Sequence, residues 1–307
     1  MINLDLIEQR LFDDPNVRAR LVKDYGLSPV PTTAAELSRG LITSFGQRPV
    51  SDPLDPNVSY RDVYRAAVLA LASNSRSWSS FIAREPQLAE LLRGYDPQAV
   101  ASAVATGALT AGDLAACIPG QTSSADARAM IAWADLIANA GGYYQRVVAI
   151  ARAFERAGAG EHEVVPCVSA FLGHPPSDKT LAKCLPDLER PDGLETWKAP
   201  GMGATLASEF LRNLGWSSFK PDRHIQRLFS RWFPDVVDGY HERAVELSAL
   251  VGTRAKDVVA FFTFSLVGHE VTPPGRTLSE ADNLVWALGA YVERKGRESG
   301  VVYWGDG

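Results

Sequence analysis

Residues Gly201–Ile225 read GMGATLASEFLRNLGWSSFKPDRHI. Two glycines one residue apart open the stretch. An apolar series follows, with Leu206, Ala207, Phe210, Leu211 and Leu214 on one face of a helix. Glycines at 201 and 203 permit positive φ and leave the amides at the helix start uncovered, where an anion such as a phosphate oxygen can bond. Beyond Gly215, Pro221-Asp222 opens a second helix whose apolar face is Ile225, Leu228, Phe229 and Trp232. Asp222 stands at the N-cap, where its carboxylate accepts the free amides of the first turn. Taken separately, a Gly-x-Gly turn and a Pro-Asp cap are ordinary punctuation between helices.

The rest of the chain sets bounds on what this pair can belong to. With 307 residues, 46% hydrophobic and 22% charged, the chain has ordinary globular composition and length for one large core or two modest ones. No apolar run approaches the length of a membrane span, and the N-terminus, MINLDLIEQRLFDD, is acidic where a signal peptide would be basic. A cytoplasmic protein with no membrane partner is expected. Cys117, Cys167 and Cys184 are odd in number and form no C-x-x-C pair, which argues against disulfides and cysteine-held zinc or iron–sulfur centres. The net charge of −5 argues against a protein coated in nucleic-acid-binding surface. A local basic groove remains open: Glu195–Trp232 holds six Lys and Arg (Lys198, Arg212, Lys220, Arg223, Arg227, Arg231) against three acids.

Helical periodicity dominates throughout, and strict alternation is scarce. The pattern predicts helices over 4–24 with a break near Pro15, from Tyr60 to Ala72, and over 78–94, 96–106 and 124–140. A helix from about Tyr143 ends at Gly158, and short helical pieces fill the Pro-, Asp- and Gly-rich 159–194. After the opening motif come a helix within 241–267, a Pro-rich turn at 272–275 and a last helix capped by Ser279. Residues 45–58, with three prolines, read as a loop or boundary. The fold class expected is all-α, with residues 1–59 as an N-terminal helical extension to a domain over 60–307.

The order and spacing of the opening motif are specific where its parts are not. Pro200-Gly201-Met202-Gly203, then Ala207, then Asp222 nineteen positions after Gly203 in an Asp-x-His-x-x-Arg context with His224 and Arg227, resemble the HhH-GPD superfamily of base-excision DNA glycosylases. That family is named for its helix–hairpin–helix, Gly/Pro-rich loop and catalytic aspartate. The strong match covers about forty residues, with weaker echoes over roughly 60–300 at Ala72-Ser-Asn-Ser75 and Gly142-Tyr-Tyr-Gln-Arg146. The resemblance implies a fold of two helical lobes with the active-site cleft between them, the hairpin at about 197–214 and the catalytic loop at 216–224. It implies an enzyme that flips a damaged or modified base from double-stranded DNA and cleaves its N-glycosidic bond. Asp222 is then the catalytic carboxylate. Pro200, Gly201, Met202, Gly203, Thr205, Lys220, His224 and Arg227 contact DNA, and Asn74 fills the gap left by the flipped base. No cofactor is required, although the hairpin can hold a K+ or Na+ ion on backbone carbonyls, and a monomer is expected.

The chemistry agrees with that assignment. Breaking an N-glycosidic bond develops oxocarbenium character at the sugar, which a fixed carboxylate stabilises while it orients or deprotonates the attacking water. Relatives that nick the strand use a lysine on the hairpin helix to attack C1′. Thr205 stands at that position, so a water-using, monofunctional glycosylase that leaves an abasic site is expected, with Lys198 and Lys220 as phosphate contacts. Tyr143, Tyr144 and Trp286, with Trp216 and Phe219 behind them, are candidates to stack on an extruded base. Arg76 and Trp78 are candidate wedges and Gln121 a rival plug, while Asp282 and Asn283 could read a base edge or cap the last helix. Two alternatives stay open: a glycosylase acting on enzymatically modified bases of foreign DNA as a defence enzyme, and a non-catalytic HhH DNA-binding protein.

Overall fold

A computed structural model describes residues 1–44, 58–74, 78–139, 142–188, 196–253 and 255–305. Among these residues the protein is all-α, with no strand and two isolated β-bridges, Ile2–Trp304 and Arg294–Arg297. No helix among them is long and apolar enough to cross a membrane. Three helices come first: α1 (Leu4–Asp13), α2 (Pro15–Tyr25) and α3 (Ala34–Ser44). Then follow α4 (Tyr60–Ala72), α5 (Trp78–Ile82), α6 (Glu85–Leu91), α7 (Pro97–Ala105), α8 (Ala111–Cys117) and α9 (Ser123–Asn139). The series continues with α10 (Tyr143–Arg156), α11 (Glu161–Gly173), α12 (Asp178–Cys184) and α13 (Ala204–Asn213). Last are α14 (Arg223–Trp232), α15 (Pro234–Leu250), α16 (Lys256–Val271) and α17 (Leu278–Ala287), which runs into a π-turn at Leu288–Val292.

Contacts divide the chain into two units. The larger comprises 48–216 with 250–253. Its centre is Trp133 on α9, fully buried, with its ring 5.0 Å from Phe210 of α13 and 5.1 Å from Tyr143 of α10. α13 packs against α4 and lies along α11. That last approach depends on Gly173, where a Cβ would sit 2.4 Å from the Ala204 amide nitrogen. Asn213 ties the end of α13 to α4 by donating to the Ala66 carbonyl at 3.1 Å. Glu209 and Arg212 form an ion pair at 3.1 Å within the buried part of α13.

The second unit comprises 1–47, 217–249 and 254–307. Residues 1–44, read from sequence as part of an extension, therefore pack with the C-terminal helices. Leu4, Ile7 and Leu11 bury the inner face of α1, which meets α3 and α17. Arg276 gathers Asp5, Glu8 and Glu280, linking α1 to the first turn of α17. The Tyr291 hydroxyl donates to Asp24 of α2 at 2.9 Å. α14 packs on α16 and α17. Gly268 leaves room for the Phe219 ring, which a Cβ there would meet at 2.5 Å.

Local structure departs from the sequence reading at several points. The helix expected within 241–267 is two helices, because Gly252 adopts φ +84° with its face against Pro176 and Thr180. The cap of the last helix is Thr277, not Ser279: Thr277 and Glu280 form a reciprocal capping box. Within 159–194, α11 is a full 13-residue helix that accommodates Pro166. The loop expected over 45–58 lies outside the described residues up to position 57.

Candidate functional site

Asp222 is the N-cap of α14, as its position after Pro221 predicts. One carboxylate oxygen accepts the amides of His224 at 2.8 Å and Ile225 at 3.2 Å. The other accepts the indole N–H of Trp286 at 2.9 Å. Trp286, expected to stack on a base, is thus a hydrogen-bond donor to the carboxylate. None of the ion pairs formed among the described residues uses Asp222. A half-buried carboxylate held by neutral donors is fixed in orientation and keeps its charge available to a developing cation.

The surroundings brace this group. Asp282, buried at the second turn of α17, accepts the Lys220 amide at 2.8 Å, and the Asp222 amide donates to the Lys220 carbonyl at 2.7 Å. Asp282 therefore shapes the 220–222 loop and does not cap the last helix. The half-buried His224 ring lies edge-on to Trp286, centroids 6.0 Å apart, and its side chain packs against Gly289, where a Cβ would meet the His224 Cβ at 3.1 Å. Burial pushes its imidazole below the usual value of 6.5, against the opposing pull of Asp222. His224 is accordingly a neutral brace for the Asp222 turn near pH 7. Arg227, expected on phosphate, spends its guanidinium internally. It donates to the carbonyls of Gly289, at 3.2 Å, and Glu293, and pairs with Glu298 at 3.2 Å. Its fork closes the π-turn that follows α17. Trp286 itself rests against Tyr291, centroids 6.3 Å apart, so α2, through Asp24 and Tyr291, backs the residue that holds the carboxylate.

The turn at Pro200–Gly203 belongs to the other unit. Gly201 adopts φ +71°, and a Cβ there would meet the Ala129 Cβ at 2.5 Å, so glycine is required twice over. Gly203 needs no such freedom: its φ is −96°, and it is the N-cap of α13. Lacking a side chain, it leaves the first amides of α13 without a side-chain cap. Met202 is buried, and Thr205 lies half-exposed in the first turn of α13. The Pro200 carbonyl accepts the indole N–H of Trp133 at 2.9 Å, which fastens the turn to the core. Lys198, expected on phosphate, instead donates its ammonium to the carbonyls of Gly173 and Met202.

Other residues singled out by sequence fall differently. The Asn74 side-chain amide donates to Asp126 at 3.2 Å, and Thr122 donates to the Asp126 carboxylate at 2.6 Å, so Asn74 is held within a polar cluster. Tyr143 and Tyr144 are 4% and 1% exposed. Both lie on the apolar face of α10, Tyr144 accepting the indole N–H of Trp216 at 2.8 Å, and they offer no ring face to an extruded base. Trp216 and Phe219 are equally buried. Arg76 and the side chain of Trp78 lie outside the described residues. Sequence reasoning missed the roles of Asp282, Tyr291, Gly173 and Trp133. Only Asp282 carried a signal, as a charged residue followed by Asn283 and the apolar run Leu284–Val285–Trp286. No group of three or more His, Cys, Asp or Glu among the described residues is placed to hold a metal ion. Comparison with known protein families, curated proteins and solved structures finds no match.

Proposed function

We propose that this chain is a monofunctional DNA glycosylase of helix–hairpin–helix type, which hydrolyses the N-glycosidic bond of a damaged or modified base and leaves an abasic site. The observation that carries the reading is Asp222, whose two oxygens are fixed by two helix amides and an indole N–H and by no cationic side chain among the described residues. As the C1′–N bond breaks, the bonding pair leaves with the base and positive charge develops on the sugar. The aimed carboxylate stabilises that charge and orients a water whose oxygen attacks C1′, and the proton the water loses passes to the departing base, which leaves neutral. The uncapped amides of α13 supply donors for a backbone phosphate. Thr205 has no amine to attack C1′, which supports hydrolysis without strand cleavage.

The test is release of free base, detected by mass spectrometry, from duplexes carrying modified bases, comparing the wild type with Asp222→Asn. Release by the wild type that falls about 10²–10³-fold or more in the variant supports the reading. Duplex binding retained by both proteins, with no base released from any duplex, would favour a non-catalytic DNA-binding protein.

A further inference from the structure

Lys198 gives the hairpin its own cation. Its ammonium donates to the carbonyl of Gly173, the last residue of α11, and to that of Met202, at 3.1 Å, between the two hairpin glycines. The first acceptor lies at the negative end of a 13-residue helix, where a cation is favoured. The second lies within the turn that presents the α13 amides. Neighbouring bonds hold the same turn: the Ala199 amide donates to the Leu172 carbonyl at 2.8 Å, and the Met202 amide to the Ala199 carbonyl at 3.2 Å. Partial burial lowers the affinity of Lys198 for its proton, while two carbonyl acceptors retain the charged form. An alkali ion on the same Met202 oxygen would stand beside the Lys198 ammonium, and the repulsion between the two cations disfavours it there.

We propose that the Lys198 ammonium is the resident cation of the hairpin, bridging the Gly173 and Met202 carbonyls so that the turn is pre-organised without an alkali ion. Removing the side chain then opens a two-carbonyl site for a small monovalent cation or an alkylammonium ion. The same bonds withdraw Lys198 from service as a nucleophile or a phosphate contact. The consequence for DNA rests on the proposed function; the cation role does not.

The test uses the full chain as wild type, Lys198→Met, Lys198→Ala and Lys198→Arg. Hydrogen exchange of the Ala199 and Met202 amides, the two whose bonds hold the turn, is followed in sodium, potassium or N-methylglucammonium chloride at equal ionic strength. The wild type should exchange identically in all three salts. Lys198→Met should exchange about tenfold faster, as loss of a charged hydrogen bond implies, and potassium or propylammonium should slow Lys198→Ala again. Wild-type protection that depends on the alkali ion, or an unchanged rate in Lys198→Met, would overturn the proposal. Should the neutral variants fail to fold, the wild-type salt comparison and Lys198→Arg decide, the latter being expected to retain protection. Duplex affinity measured in the same salts should be constant for the wild type. If the wild type binds no duplex while the exchange pattern holds, the DNA reading fails and the cation role stands.

Discussion

Replacing Trp286 with Phe isolates the least expected part of the site. The change removes the indole N–H that meets Asp222 at 2.9 Å while keeping an aromatic ring against His224 and Tyr291. A hydrogen bond to a charged acceptor contributes about 1.5–3 kcal/mol. At about 1.4 kcal/mol per tenfold, its loss should slow base release roughly 10- to 100-fold. The helix amides of His224 and Ile225 still hold the first oxygen, so the variant should remain well above Asp222→Asn. The assay is single-turnover base release at saturating enzyme, with duplex affinity measured separately by fluorescence anisotropy. The loss should fall on the rate and leave affinity within about twofold, because Trp286 acts by aiming a carboxylate. A double-mutant cycle sharpens the point. In the Asp222→Asn background the Phe substitution should cost little further, because the charge it served is gone. An unchanged rate in the single variant, or full additivity in the cycle, would refute the positioning role.

Three further outcomes follow from the geometry. Gly201→Ala should lower stability by about 2–4 kcal/mol in urea unfolding, combining a left-handed φ of +71° with a Cβ clash against Ala129. Because burial holds His224 below its usual value of 6.5, the unfolded chain takes up this proton first. Its contribution to stability is therefore fully present above about pH 6.5 and is lost as pH falls; His224→Gln should flatten that part of the urea-midpoint profile. Arg276→Met should cost about 1–2 kcal/mol and weaken the salt dependence of unfolding, since Asp5, Glu8 and Glu280 lose their shared cation.

Local features of this chain were legible wherever one residue dictates one geometry. Asp222 after Pro221 predicts an N-cap, and Gly201 predicts a left-handed turn, because neither depends on distant partners. What could not be read was which neighbour each side chain would meet. Trp286 reads from sequence as a ring to stack on a base, and Arg227 as a DNA contact. Their partners, Asp222 and the Gly289–Glu293 carbonyls, are 62 to 66 positions away in the chain. Lys198 looked like a phosphate contact for the same reason: its acceptor at Gly173 is 25 residues upstream. Tyr143 and Tyr144 show the converse. Aromatics at the start of an amphipathic helix occur in cores and pockets alike, and their burial against Trp133 and Trp216 decides for the core. Residues 1–44 are tied to the C-terminal helices in part by Arg276 and Tyr291, whose partners on α1 and α2 no local pattern announces.

Asp222 is proposed to drive hydrolysis of a glycosidic bond, and one assay addresses that role directly. Duplexes each carrying a single damaged or enzymatically modified base would be incubated with excess wild type or Asp222→Asn, and strand breaks read with and without hot alkali. For at least one base, breaks should appear with the wild type after alkali only, and the variant should lose them. Breaks without alkali, or equal breakage by the variant, would contradict that role.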